Sequence, residues 1–301
     1  MIVLHGGRPV AERYAAGFDA RTPLIGWSMT KSVIATLIGI QVMHGHLDPE
    51  SPAPVPEWSD DERAAITLDH LLRMTSGLGF KERNGAFGDS AAMLFRSRSA
   101  ADYAAHSALA HLPGSFWSYS SGTSNLLSAI LRSSLDGDLR AYHRFPRQAL
   151  FDRIGMRSAV LETDAAGDFV GSSFSYATAR DWARFGLLYA RDGVWQGERL
   201  LPEGWVARAR RPTPPAPRGS YGAHWWLNAG APGDPRDRPY PSLPTDLFYA
   251  SGYEGQSVVV LPSHALVVVR LGQSVPEQAF DLEAFLHAVL AAFPADPGSG
   301  S

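Results

Sequence analysis

The sequence predicts a mixed α/β (α+β) fold in which both ends of the chain build one antiparallel sheet. Segments rich in Val, Ile and Leu lie near the N-terminus at 2–4 and near the C-terminus at 257–261 and 266–271, and this composition favours strands. Between the two ends, apolar residues recur at helical spacing in several segments. Together these observations predict a sheet flanked by helices.

The order of these elements also predicts how the chain divides. We expect a discontinuous sheet subdomain from 1–50 and 181–295, and a mostly helical subdomain from 51–180. The last residues, 296–301, are rich in Pro, Gly and Ser, which predicts a disordered tail. A cleft between two subdomains is a common place for a ligand site.

Turn and capping residues set the first element boundaries. Residues 2–4 and 9–14, separated by a Gly-Gly pair, predict a β-hairpin. The apolar helix that follows should end near Gly45, because glycine suits the left-handed position after a helix. The connector 51–56 contains three prolines and is expected to be extended.

The later elements follow from signals of the same kind. Thr67 is an expected N-cap, Thr178 with Asp181 forms a capping box, and 262–264 separates the two strands of a C-terminal hairpin. The remaining expected elements are helices at 68–74, 99–112, 124–135, 145–154, from 179 onward and at 281–293, and a strand at 221–227.

One short stretch has a pattern that indicates chemistry. Ser28 and Lys31 precede a segment, 33–42, that is apolar almost all round and predicts a buried helix. Residues three apart lie on one face of a helix, and the N–H groups at a helix start favour an anion. A serine beside an amine at such a place predicts a nucleophile with its base.

The lysine content makes this pair more specific. Of the 27 Lys and Arg residues, only Lys31 and Lys81 are lysine. Arginine would supply charge but does not lose its proton in proteins, so it cannot act as a base. The alternative interpretation is a surface lysine in a first helical turn, with no function.

Composition limits the function classes. The net charge of -3 predicts no nucleic-acid partner, and a chain without cysteine has neither disulfides nor thiolate chemistry. No apolar run reaches the roughly 20 residues of a membrane span. Because the first seven residues lack the features of a signal peptide, we expect a cytoplasmic protein.

Two other catalytic arrangements are less favoured. His44, His46 and Asp48 imitate the start of a binuclear zinc site, but they lie at the expected helix end and Pro49 follows them. Ten histidines leave a Ser-His-Asp triad open, yet no Gly-x-Ser-x-Gly elbow is present. A serine centre without a metal is therefore expected.

Several short motifs occur in a fixed order, and with them the sequence resembles the β-lactamase-related serine hydrolases over about residues 3–290. This family includes class C β-lactamases, D-alanyl-D-alanine carboxypeptidases, family VIII esterases and 6-aminohexanoate-dimer hydrolases, and the last branch looks most similar. The resemblance implies a β-lactamase/penicillin-binding-protein-like fold. The matching motifs are Ser28-Met29-Thr30-Lys31, 71–78, Pro113-Gly114, Tyr119-Ser120-Ser121, 178–184, Trp225-Trp226 and 252–256.

The resemblance also implies the chemistry of the centre. Ser28 would be the nucleophile, Lys31 its general base and Tyr119 the group that passes a proton to the leaving group. A small-molecule ester or amide would acylate Ser28, and water would then hydrolyse the acyl-enzyme. This reaction needs no metal or organic cofactor.

Supporting residues are implied by the same resemblance. Ser121 would orient Lys31, and the backbone N–H groups of Ser28 and Gln256, the latter next to Gly255, would form an oxyanion hole. The residues expected to line the substrate cleft are Trp27, Trp226, Tyr253 and Glu254.

The chain departs from the family at the third motif and at the N-terminus. Relatives have Lys-Thr-Gly or His-x-Gly where this chain has Tyr253-Glu254-Gly255, so no cation is available there for a substrate carboxylate. A neutral ester or amide is therefore expected, with β-lactam or D-Ala-D-Ala substrates as the lesser alternative. A sensor domain that acylates slowly or not at all also stays open. Relatives usually begin with a longer N-terminus, so a missing export segment is the alternative to a cytoplasmic location.

Overall fold

The computed structural model describes residues 1–82, 88–275 and 279–293. The strands, β1 to β11, are Ile2–His5, Arg8–Glu12, Leu24–Ile25, Val160–Leu161, Ser175–Ala177, Val194–Trp195, Glu198–Arg199, Trp226–Leu227, Phe248–Gly252, Gln256–Leu261 and Leu266–Arg270. The α-helices, α1 to α10, are Thr30–Met43, Leu68–Leu72, Asp89–Arg96, Ala100–Ala105, Ser121–Ser133, Leu139–Pro146, Asp152–Ile154, Ala179–Ala190, Trp205–Arg210 and Leu282–Ala292. Among the helices of these described ranges, none is long and apolar enough to cross a bilayer.

The main sheet joins the two ends of the chain. Its six strands have the order β2-β1-β11-β10-β9-β8, and the pairs are antiparallel. Ile2 of β1 and Val258 of β10 both pair with Val269 of β11. The predicted fold, an antiparallel sheet from both chain ends flanked by helices, is confirmed.

The central strands are buried on both faces, and their side chains alternate between two cores. Val258 and Val260 of β10 face the larger core, which also contains residues of α1 and α8. Val259 and Leu261 face the smaller core with Leu286 of α10. This period of two is what a pleated strand imposes, and each fully buried Val or Leu contributes about 1.5–3 kcal/mol of transfer free energy.

Helix α1 lies inside the larger core, as its sequence predicts. Every residue from Thr30 to Gln41 is buried. A Cβ at Gly39 would overlap the indole of Trp205 on α9, so the glycine allows that helix to pack closely. The helix ends at Met43 and Gly45 adopts φ +75°, as expected for the residue after a helix end.

Three predicted elements differ from the structure. The helix predicted at 99–112 ends at Ala105, because Leu109 instead forms an antiparallel bridge with Leu78. The strand predicted at 221–227 is reduced to Trp226–Leu227, since His224 has φ +57° and cannot continue a strand. The helical region predicted from 145 begins at Leu139, where the side chain of Asp138 caps it.

Other elements were not predicted, and some predictions remain untested. Helix α3, helix α9 and strand β9 have no counterpart in the sequence-based assignment. Strand β3 pairs with β5, so the chain before α1 contacts the segment before α8. The division into 1–50 with 181–295 and 51–180 stays a prediction, and the tail at 296–301 lies outside the described residues.

Candidate active site

The turn that carries Ser28 is tightly fixed. Ser28 lies in a 3₁₀ turn, Trp27–Met29, directly before α1, and Trp27 has φ +48°. This left-handed backbone is costly for a residue other than glycine and is typical of functional sites. The Thr30 hydroxyl donates to the Trp27 carbonyl at 2.6 Å, and a Cβ at Gly26 would overlap the Trp182 ring. The turn therefore holds Ser28 just outside the regular helix.

Lys31, in the first turn of α1, faces Ser28. The lysine is 2% exposed, and its Nζ lies 3.1 Å from Ser28 Oγ and 3.1 Å from Ser121 Oγ. Nζ also donates to the Ser172 carbonyl at 2.8 Å. Burial lowers the pKa of Lys31 to about 8, while the negative charge of Glu82 acts in the opposite direction. A substantial share of the amine is thus neutral near pH 8.

Tyr119 completes the contacts of Ser28. Burial raises the pKa of the Tyr119 hydroxyl above its usual value, its hydrogen bond with Ser28 lowers it, and the charge of Glu82 raises it further. Lys31 Nζ lies 5.0 Å from the centre of the Tyr119 ring. The hydroxyl is therefore protonated at neutral pH and is a proton donor rather than a base.

Three polar residues of the centre were missed by sequence reasoning. Glu82 accepts hydrogen bonds from both the backbone N–H and the hydroxyl of Ser121, each at 2.7 Å. Asn125, one turn after Ser121 on α5, holds Ser172 through its amide, which accepts from the Ser172 N–H and donates to the Ser172 hydroxyl. These residues belong to no motif of the sequence, and only the fold brings them to Lys31.

The turn between β9 and β10 lies next to Ser28. A Cβ at Gly252 would overlap the Gly26 carbonyl, so the end of β9 contacts the turn before α1. Gly255 has φ +86° and leaves no room for a side chain beside Arg270. The Gln256 side chain donates to the carbonyls of Tyr253 and Gly272, so the NH₂ group of this amide is occupied by hydrogen bonds within the neighbouring loop.

A cavity of about 950 Å³ opens in front of Ser28. Of the predicted cleft residues, Trp27, Trp226 and Tyr253 line it together with Ser28, Tyr119 and Ser121. Glu254, Gly255 and Gln256 are outside its lining, and the Glu254 carboxylate accepts from Gln273 instead. The other lining residues include an apolar and aromatic group, Phe80, Leu94, Phe95, Phe116 and Trp117, together with several serines and the charged Lys81 and Glu82.

The family follows from a comparison with known proteins. A family model described as Beta-lactamase matches residues 1–293. The chain belongs to the Beta-lactamase family of serine hydrolases.

Similar proteins agree with the fold. The chain is 26% identical over 259 residues to the 6-aminohexanoate-dimer hydrolase of Paenarthrobacter ureafaciens, covering 77% of this chain and 65% of that relative's length. A Bacillus anthracis protein assigned as a 6-aminohexanoate-dimer hydrolase superposes with a TM-score of 0.76 at 23% identity, covering 97% of this chain and 79% of that chain. A penicillin-binding protein of Bacillus halodurans gives a TM-score of 0.70 at 18% identity, covering 97% and 95%. This chain therefore has the β-lactamase/penicillin-binding-protein fold.

The two other arrangements considered from the sequence can be compared with this Beta-lactamase-family centre. In the described ranges, no group of three or more His, Asp or Glu side chains is placed to hold a metal ion. His44 and His46 lie with ring centres 6.0 Å apart at the end of α1. No described histidine lines the cavity, and the buried His224 contacts Ser124 and the Leu72 carbonyl rather than Ser28.

Proposed function

We propose that this chain is a serine hydrolase that cleaves a small, uncharged ester or amide through an acyl-enzyme on Ser28. The observation that carries the proposal is the 3.1 Å contact between Ser28 Oγ and Lys31 Nζ, whose burial lowers the pKa of the lysine to about 8. A serine hydroxyl is a weak nucleophile until a base takes its proton. A partly neutral amine at hydrogen-bonding distance is such a base.

The proposed reaction has two halves. In the first, Lys31 takes the Ser28 proton as Oγ attacks the substrate carbonyl, and Tyr119 gives its proton to the leaving alcohol or amine as the carbonyl–leaving group bond breaks. The Lys31 ammonium then returns a proton to Tyr119. In the second half, a water gives its proton to neutral Lys31, attacks the ester carbonyl and releases the acid, and Ser28 regains its proton.

The oxyanion hole is proposed at the backbone N–H groups of Ser28 and Gln256. Two observations support this place: the Gln256 side chain is occupied elsewhere, and the end of β9 contacts the turn before Ser28. Donors fixed in this way stabilise the charge that develops on the carbonyl oxygen.

The lining of the cavity supports a neutral substrate. The side chain at the third family motif is Tyr253, and a carboxylate, Glu82, lines the cavity close to Ser121. A substrate carboxylate beside Glu82 would meet like charge, and Tyr253 supplies no cation at the third motif, which disfavours such a substrate there. Lys81 also lines the cavity, next to Glu82 and outside that motif. The 26% identical relative, a 6-aminohexanoate-dimer hydrolase, also favours a small substrate.

The proposal is tested by mass spectrometry of the intact protein after exposure to a fluorophosphonate, followed by assay with a short-chain p-nitrophenyl ester. We expect one adduct on the wild type, none on Ser28→Ala, and ester turnover by the wild type alone. A folded wild-type protein that takes no label would contradict the proposal. Stable acylation without turnover would favour the sensor alternative, and turnover of a penicillin well above that of the ester would favour the β-lactamase alternative.

A further inference from the structure

Glu82 makes two contacts that bear on the base although neither of them is to Ser28. Both of its carboxylate oxygens bind the same residue, Ser121, one at the backbone N–H and one at the hydroxyl. Ser121 is the first residue of α5, where the helix dipole attracts a negative charge. The carboxylate is therefore anchored at a helix start, with Ser121 between it and Lys31.

An ionised carboxylate has only acceptor atoms. The Ser121 hydroxyl proton is therefore directed to Glu82, and towards Lys31 the hydroxyl oxygen has only lone pairs to offer. The Ser172 carbonyl, the other neighbour of Nζ, also only accepts. Two of the three neighbours of Lys31 Nζ thus require an N–H from the lysine.

A neutral amine has two N–H bonds and one lone pair. If both N–H bonds go to Ser121 Oγ and the Ser172 carbonyl, the lone pair is left for the third neighbour, Ser28 Oγ, at 3.1 Å. In that arrangement the Ser28 hydroxyl donates to Lys31, which is the direction that proton abstraction needs.

We propose that Glu82 is a positioning residue that fixes the direction of the hydrogen-bond chain Ser121–Lys31–Ser28, so that the lysine lone pair faces the nucleophile. This inference rests on the proposed function of Ser28 and Lys31. In this positioning role Glu82 acts through Ser121 and takes no proton from the substrate.

The charge of Glu82 has a separate effect that makes the inference testable. Glu82 stabilises the Lys31 ammonium, whereas the other titratable groups that face the lysine among the described residues carry no charge at neutral pH. These are Tyr119, which is protonated, and His224, whose pKa is lowered by burial to about 4. Removing the charge at position 82 should therefore move the titration of Lys31 to lower pH.

The Glu82→Gln variant changes both the charge and the direction of the hydrogen bond, and the two effects appear in different readouts, the pH midpoint and the labelling rate. The Ser121 N–H needs an acceptor, so the glutamine oxygen would bind there and its NH₂ group would donate to the Ser121 hydroxyl. The Ser121 proton would then turn towards Lys31 and compete with Ser28 for the lone pair. We expect the rate of Ser28 labelling by the fluorophosphonate to fall about 10²-fold, with its pH midpoint lower than in the wild type.

A matched control and a second variant complete the experiment. Glu283, on α10, also accepts hydrogen bonds from the N–H and the hydroxyl of one serine, Ser242. Because this pair lies outside the cavity lining, Glu283→Gln should label at the wild-type rate. In a Ser121→Ala background, which breaks the same link from the other side, Glu82→Gln should cost less than about 3-fold, because two changes in one chain are not additive.

The outcomes of this experiment separate the two claims. If the wild type is labelled, three results overturn this inference but leave the proposed function intact. They are a Glu82→Gln variant that labels at the wild-type rate, a Glu82→Gln variant with an unchanged pH midpoint, and a full additional loss from Glu82→Gln in the Ser121→Ala background. A wild-type protein that resists the label overturns the proposed function, and this inference with it.

Discussion

The cavity has two unlike walls. The polar wall is formed by Ser28, Ser121 and Glu82, with the buried Lys31 and Ser172 behind it, and these five residues are linked by hydrogen bonds of 2.7–3.1 Å. The aromatic wall, formed by Phe80, Phe116, Trp117, Trp226 and Tyr253, offers mainly ring surface. In the polar wall each group depends on its neighbours. In the aromatic wall Trp117 and Trp226 contact each other, whereas Phe116 stacks on His111, away from the polar wall.

This difference predicts how the walls respond to substitution. A change in a connected chain of hydrogen bonds alters every group along it, so losses should be large and should appear in kcat. A ring that contributes contact area should affect mainly the binding of substrate. We therefore expect substitutions in the polar wall to change the chemical step and substitutions in the aromatic wall to change the selectivity for substrate.

The largest effect is expected from Lys31→Arg. The variant keeps the positive charge but cannot accept the Ser28 proton, so ester hydrolysis should fall by at least about 10³-fold. Lys31→Met, which fits the apolar core of α1 more easily, should lose as much activity and serves to show that the loss is not one of folding. Appreciable turnover by a folded Lys31→Arg protein would exclude the lysine as the base.

A smaller effect is expected from Phe116→Ala on the aromatic wall. Phe116 is 47% exposed and its ring stacks only on His111 among the described aromatic contacts, so the polar wall should be undisturbed. We expect KM for an apolar ester to rise about 5-fold with kcat nearly unchanged, which corresponds to about 1 kcal/mol of lost contact. Leu112→Ala, nearby but 73% exposed and outside the cavity lining, is the matched control. A drop in kcat without a change in KM would mean that the walls are not separable.

The smallest effect is expected from Trp117→Phe. The indole Nε1 of Trp117 is buried and has no hydrogen-bond partner among the described residues, and the residue lines the cavity. If this N–H donates to a substrate oxygen, its removal should raise KM by roughly 2–3-fold, the lower end of what one hydrogen bond contributes. An unchanged KM with a higher melting temperature would show that the group is only an unsatisfied donor.

The comparison of the walls also explains which parts of the site the sequence could reveal. Ser28 and Lys31 lie three residues apart, a separation that a 3₁₀ turn running into a helix also brings together, and the low lysine content makes the pair specific. Glu82 is 39 residues from Ser121, and Ser172 is 141 residues from Lys31. Contacts over such separations depend on the packing of α5 beside α1, which no local pattern specifies.

The fold shows the same limit. The two-ended sheet was predictable because Val and Leu dominate β1, β10 and β11. Strand β9, Phe248–Gly252, was missed because its Ala-Ser-Gly end has little strand propensity, and it forms by pairing with β10. The helix predicted to 112 was wrong beyond Ala105, because the pairing of Leu109 with Leu78 competes with local helix propensity.

The most direct test of the central claim is the rate of Ser28 labelling by a fluorophosphonate as a function of pH between about 6 and 10. Burial lowers the folded-state pKa of Lys31 to about 8 from its usual 10.5, and only the neutral amine accepts a proton. The labelling rate should therefore rise with pH through a midpoint near 8 and be lost as the pH falls below it. A rate that does not depend on pH in this range, or one that keeps the same midpoint in Lys31→Arg, would contradict the assignment of Lys31 as the base of Ser28.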